Sequence, residues 1–140
     1  MAVGLFVLAG CATSTPEPTA TPIPPTPTPE HVGDVELGRE IHETGGGIIG
    51  KTSGRDCSAC HSLDGSVRSG GEAGPSFQGI SERAGDRVPE LSAVEYLRQS
   101  IMDPSAYVVE GFDPNIMPKS FRLFFSEEDI DALIAFMLTQ

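Results

Sequence analysis

The chain has 140 residues, enough for one small domain, with no tryptophan and only two tyrosines and seven phenylalanines. Its formal net charge is −11, from 20 acidic against 9 basic side chains. That balance excludes nucleic acid as a partner, because such binding is built from Lys and Arg contacts to phosphates. It suits a docking surface rich in Lys or Arg, and it equally serves solubility.

In chain order, residues 1–10, "MAVGLFVLAG", form a signal-peptide-like segment that is apolar or Gly from position 2 onward. A run of about nine such residues matches a signal core and is too short to span a bilayer. Leu8–Cys11, "LAGC", resembles the lipobox of bacterial lipoproteins, which predicts cleavage before Cys11 and a lipid on its sulfur. No Lys or Arg precedes Arg39, so the usual positive flank is missing. Either translation begins further upstream or the signal is atypical. The plainer alternative is an ordinary apolar terminus with a thiol.

Residues 11–30 are read as the lipobox cysteine followed by a Pro/Thr-rich linker. Positions 12–30 hold seven prolines and six threonines, a composition that cannot bury a core and favours an extended chain. At about 3.1 Å per residue this tether reaches up to about 60 Å. The folded domain is predicted over 31–140.

Three helices are predicted in that domain. The first runs over about 34–43, capped by Asp34 and stopped by the glycines from Gly45. The second covers about 93–102, with Ser92 and Glu95 as a capping box and Val94, Leu97 and Ile101 as its apolar stripe. Asp103-Pro104 ends it. The third covers about 127–139, with Ser126 and Asp129 as the box and Ile130, Leu133, Ile134 and Met137 as the stripe. "AYVVEGF" is a weak strand candidate, and the predicted class is all-α.

Between the first two helices stands "RDCSACHSLDG", in which Cys57, Cys60 and His61 form C-x-x-C-H. A closed zinc site needs four ligands, and no second Cys pair accompanies this one. A thioredoxin-type dithiol follows a strand in a βαβ unit, whereas the Gly-rich "GGGIIGKTSGRD" precedes Cys57. The remaining reading is covalent haem attachment, with thioethers from Cys57 and Cys60 and proximal ligation of the iron by His61. Residues three apart on a helical turn share a face, as both bridges require.

The second axial position has five candidates: Met102, Met117, Met137, His31 and His42. Met102 and Met137 lie on or near apolar helix stripes, where methionine is commonly core filler. His42 takes a helix position suited to an apolar or aromatic packing residue. Met117 lies in "FDPNIMPKSF", stiffened by Pro114 and Pro118. A thioether on such a restrained loop is held over a haem face at little entropic cost, and Met117 is the favoured ligand.

The order "GREIH", "CSACH", "GPSFQGI", "YLRQSIMDP", "IMP" and "IDALIAFM" resembles a class I, mono-haem bacterial cytochrome c over about residues 33–140. The resemblance implies three to five helices wrapped round one covalent haem c. It implies that Gly38 permits a close crossing of the first and last helices, against Leu133 and Phe136. It also implies that the Pro75 carbonyl accepts the Nδ1 proton of His61. His42 departs from the aromatic residue usual at its position, and the 44–56 loop is longer than the usual link. Cytochromes of this kind mature after export, which agrees with a lipid anchor on the periplasmic or other extracytoplasmic face of the cell membrane.

The expected function is electron transfer, one electron at a time, between respiratory or other redox complexes, with His61 and Met117 as axial ligands and no enzymatic activity. The partners would be redox proteins with basic docking surfaces. The alternative is a haem enzyme or ligand sensor with a weak or absent sixth ligand, for which Arg83, Arg87 and Arg122 are the available distal bases.

Overall fold

A computed structural model describes Met1 and residues 33–47, 56–67 and 73–140. The signal-like segment beyond Met1, Cys11, the linker, His31 and most of the 44–56 loop lie outside the described residues.

Helix α1 is Val35–Thr44. The Asp34 carboxylate accepts from the backbone N–H groups of Glu36 (2.8 Å) and Leu37 (3.2 Å), donors that a first helical turn leaves without partners. Gly45, at φ 70° and ψ 21°, closes it in the left-handed conformation. Helix α2, Ile80–Arg83, was not predicted. One turn is too short to display a periodicity, and a 3₁₀ turn at Ala84–Asp86 continues it. Helix α3 is Ala93–Met102, with both halves of the Ser92/Glu95 capping box formed. Helix α4 is Glu127–Met137, with the Ser126/Asp129 box formed in the same way. It stops two residues short of the predicted end: Leu138 N–H still donates to the Ile134 carbonyl (3.0 Å), but Thr139 N–H donates to the Phe136 carbonyl (3.0 Å), a tighter turn.

No strand occurs among the described residues. The strand candidate at 106–112 is broken by a turn in which Phe112 N–H donates to the Val109 carbonyl (3.1 Å) and Gly111 takes φ 90°. The all-α expectation therefore holds, with four helices among the described residues. None of these helices is long and apolar enough to cross a membrane.

Helices α1 and α4 cross at Gly38, where a Cβ would lie 1.9 Å from the Ala132 carbonyl oxygen and 2.8 Å from the Phe136 Cβ. The crossing buries Ile41, Ile130 and Ile134 to 1% exposure or less. Each such side chain contributes roughly 1.5–3 kcal/mol relative to remaining in water. Leu97 and Ile101 bring α3 onto the same core. At the surface Arg98 of α3 donates to Glu127 (2.7 Å) and to Asp131 of α4. These half-exposed ion pairs orient the two helices more than they stabilise them. From Asp103 to Ser120 the chain is irregular and leaves one flank of the core open.

Candidate functional site

That open flank is an apolar cleft with a volume of about 200 Å³, bounded by α3, α4, the Cys57–His61 segment and the irregular chain near Met117. Leu97, Ile101, Phe121 and Leu133 line its walls, and Tyr96 and Tyr107 meet edge to face at 5.7 Å on its surface.

Cys57, Cys60 and His61 come together on one wall. Asp56 caps the 3₁₀ turn Cys57–Ala59 by accepting from Ala59 N–H (2.7 Å) and from the Ser58 hydroxyl (2.7 Å). The turn closes when Cys60 N–H (3.1 Å) and His61 N–H (2.8 Å) both donate to the Cys57 carbonyl. Both sulfurs and the imidazole therefore face the same space. Burial, followed by the charge of Asp56, pushes the Cys57 thiol up to about 11.

The His61 Nδ1 lies 2.8 Å from the Pro75 carbonyl oxygen. A carbonyl only accepts, so Nδ1 carries the proton and the lone pair of the neutral ring sits on Nε2. Burial holds the His61 pKa below its ordinary value; the Pro75 bond opposes this and the neighbouring His42 adds to it. The neutral ring with a bare Nε2 is the form in which histidine binds a metal. Phe77 stacks on the ring at 4.6 Å and 22°.

The loop carrying Pro75 is fastened along its length. Gly74 N–H donates to the Cys60 carbonyl (3.0 Å) and Phe77 N–H to the Ser62 carbonyl (2.8 Å). The Ser76 hydroxyl donates to the Ser62 carbonyl (3.0 Å). The Arg83 guanidinium donates to the carbonyls of Ser76 (3.0 Å) and Gln78. Arg83 thus grips the proximal loop rather than serving as a distal base. Neither it, Arg87 nor Arg122 lines the cleft.

Met117 lines the cleft, half-buried on its irregular segment. Met137 lines it too, but as a buried core residue near the end of α4. Met102 packs against the core and does not reach the cleft. His42 is likewise outside it, buried between Phe77 (5.4 Å) and Phe136 (5.3 Å).

Two residues of this arrangement escaped the sequence reading. A Cβ on Gly74 would lie 2.3 Å from His61 Cε1, inside the imidazole's own volume, so only glycine passes there. Its signal was its place directly before Pro75 in "GPSF". The Ser76 hydroxyl accepts locally from Gln78 N–H (3.1 Å), but its ties to Ser62, 14 positions back, and Gly65, 11 back, carried no signal in the sequence.

The family model described as cytochrome c matches residues 35–140, all four helices and the cleft included. The chain belongs to the cytochrome c family. A comparison with curated proteins found no match. Members of the family bind haem c covalently and are as a rule electron carriers, so haem c is the cofactor of this domain. The described residues fit it: apolar walls, two sulfurs on one face, and a neutral imidazole with its lone pair free of the Pro75 bond.

Proposed function

We propose that this protein is a single-electron carrier whose haem is bridged to Cys57 and Cys60 and whose iron is ligated by His61 and Met117. The observation that carries the reading is the Nδ1–H bond from His61 to Pro75 (2.8 Å) inside a cleft that Met117 also lines. The haem supplies a one-electron couple. Pro75 holds the His61 tautomer and makes the ring a stronger donor. Met117 offers a soft thioether that favours the reduced iron relative to a second histidine. Pro114 and Pro118 restrict the backbone on either side of Met117, so ligation orders little additional chain. Core packing of Met137 on α4 is the reason to prefer Met117 over it. Among the described residues the cleft holds no arginine, no lysine and no histidine other than His61, which favours a carrier over a haem enzyme.

The domain is read as beginning near residue 31. The preceding Pro/Thr stretch acts as a tether from a lipid on Cys11 to the outer face of the membrane. A tether of that reach raises the local concentration of carrier around membrane-bound redox partners.

Two substitutions test this. Met117→Ala should leave the haem covalently attached, abolish the thioether-to-iron absorption band and lower the reduction potential in a mediator titration. An unchanged band and potential would remove Met117 from the iron. Cys11→Ala should move the protein from the membrane fraction to the soluble fraction of cells that mature cytochromes. Retention on membranes would refute the anchor.

A further inference from the structure

His42 sits where a hydrocarbon ring would fill the space. It is 2% exposed, enclosed by Phe136 of α4 and Phe77 of the proximal loop. Burying an imidazole among such rings is costly unless its polar atoms find partners. One partner is the proximal histidine's own peptide, since His42 Nε2 lies 3.2 Å from the His61 carbonyl oxygen. The carbonyl accepts, so His42 Nε2 carries the hydrogen. Phe77 provides a second route between the two residues, because it contacts the His42 ring and stacks on the His61 ring.

We propose that His42 is a positioning residue for the proximal ligand: its Nε2–H holds the His61 carbonyl, so that His61 is fixed at its backbone by α1 and at its ring by Pro75. This rests on His61 being the axial ligand. Two restraints on one residue, at the carbonyl and at Nδ1, limit rotation about its Cα–Cβ bond. The plane of the imidazole over the haem is thereby set by α1 as well as by the loop. Residues that orient metal ligands from behind act in this way.

The test compares His42→Phe, which keeps the ring packing and loses the donor, with His42→Gln, whose Nε2 amide can still donate. Both are made as holoprotein, and the readout is the proton NMR of the ferric state. There the order and spread of the haem methyl shifts report the orientation of the axial imidazole plane. His42→Phe should rearrange the methyl shifts while the protein stays folded by circular dichroism, and His42→Gln should restore the parent pattern. A His42→Phe spectrum identical to the parent would overturn the proposal. So would a His42→Gln spectrum displaced as far as that of His42→Phe, since packing rather than the N–H would then be responsible. Should His42→Phe not fold, the unsubstituted ferrous protein decides. It must show a slowly exchanging His42 imidazole N–H assigned to Nε2, and assignment to Nδ1 alone overturns the idea. Absence of hyperfine-shifted His61 ring protons in the parent ferric spectrum would instead refute the ligand assignment itself.

Discussion

A methyl group at position 74 would occupy the place of the His61 imidazole, with 2.3 Å to Cε1 and 2.7 Å to Nδ1. The ring cannot yield freely, because Pro75 holds its Nδ1 and Phe77 covers its face. Gly74→Ala should therefore cost stability at the upper end of the about 1–3 kcal/mol typical of overpacking. It should also weaken the low-spin signature of the haem as His61 is displaced. Thermal melting and the ferric absorption spectrum check both, and a variant that melts and absorbs like the parent would show that the ring has room to move. At this scale the gathering of Cys57, Cys60 and His61 beside one cleft was legible in the sequence, since it depends on spacing within five consecutive residues. The Pro75 partner of the ring came from the family resemblance alone, and the burial that keeps His61 neutral was not legible, because it comes from segments distant in the chain.

Helix ends were legible for a similar reason. Asp34, Ser92 and Ser126 each cap donors within three residues of themselves, and all three helices start where those caps place them. Helix α2 was missed because four residues carry no pattern, and its place follows from Ile80 being drawn into the core. The α1–α4 crossing is the element contact most exposed to a single substitution. Gly38→Ala would gain about 1 kcal/mol in helix propensity. Against this, its Cβ would lie 1.9 Å from a backbone oxygen and 2.5 Å from a backbone carbon of Ala132, so the helices must part. Backbone atoms cannot rotate aside as a side chain would. Separation of the crossing then loosens Ile41, Ile130 and Ile134 together, and the clash outweighs the propensity gain. The variant should unfold at clearly lower urea than the parent; an equal or higher midpoint would mean that the helices pack less closely than described.

For the molecule as a whole, the 20 acidic against 9 basic side chains create a net negative field, which we propose draws a basic redox partner. Attraction of this kind is screened over about 10 Å at 0.1 M salt. Electron transfer to a partner with a Lys- or Arg-rich surface should therefore slow as ionic strength rises, measured by stopped flow under second-order conditions. A rate indifferent to salt would argue against charge-guided docking. The sequence by itself determined the helical class, the three capped helices, the sulfur and imidazole constellation and the acidic balance, because each depends on neighbours within a few residues or on composition alone. Only the tertiary structure decided that Gly74 clears the His61 ring, that Arg83 grips the proximal loop and that His42 meets the His61 carbonyl. Those contacts join segments distant in the chain, and their geometry exists only once the crossing at Gly38 and the packing of α3 have set where each segment lies.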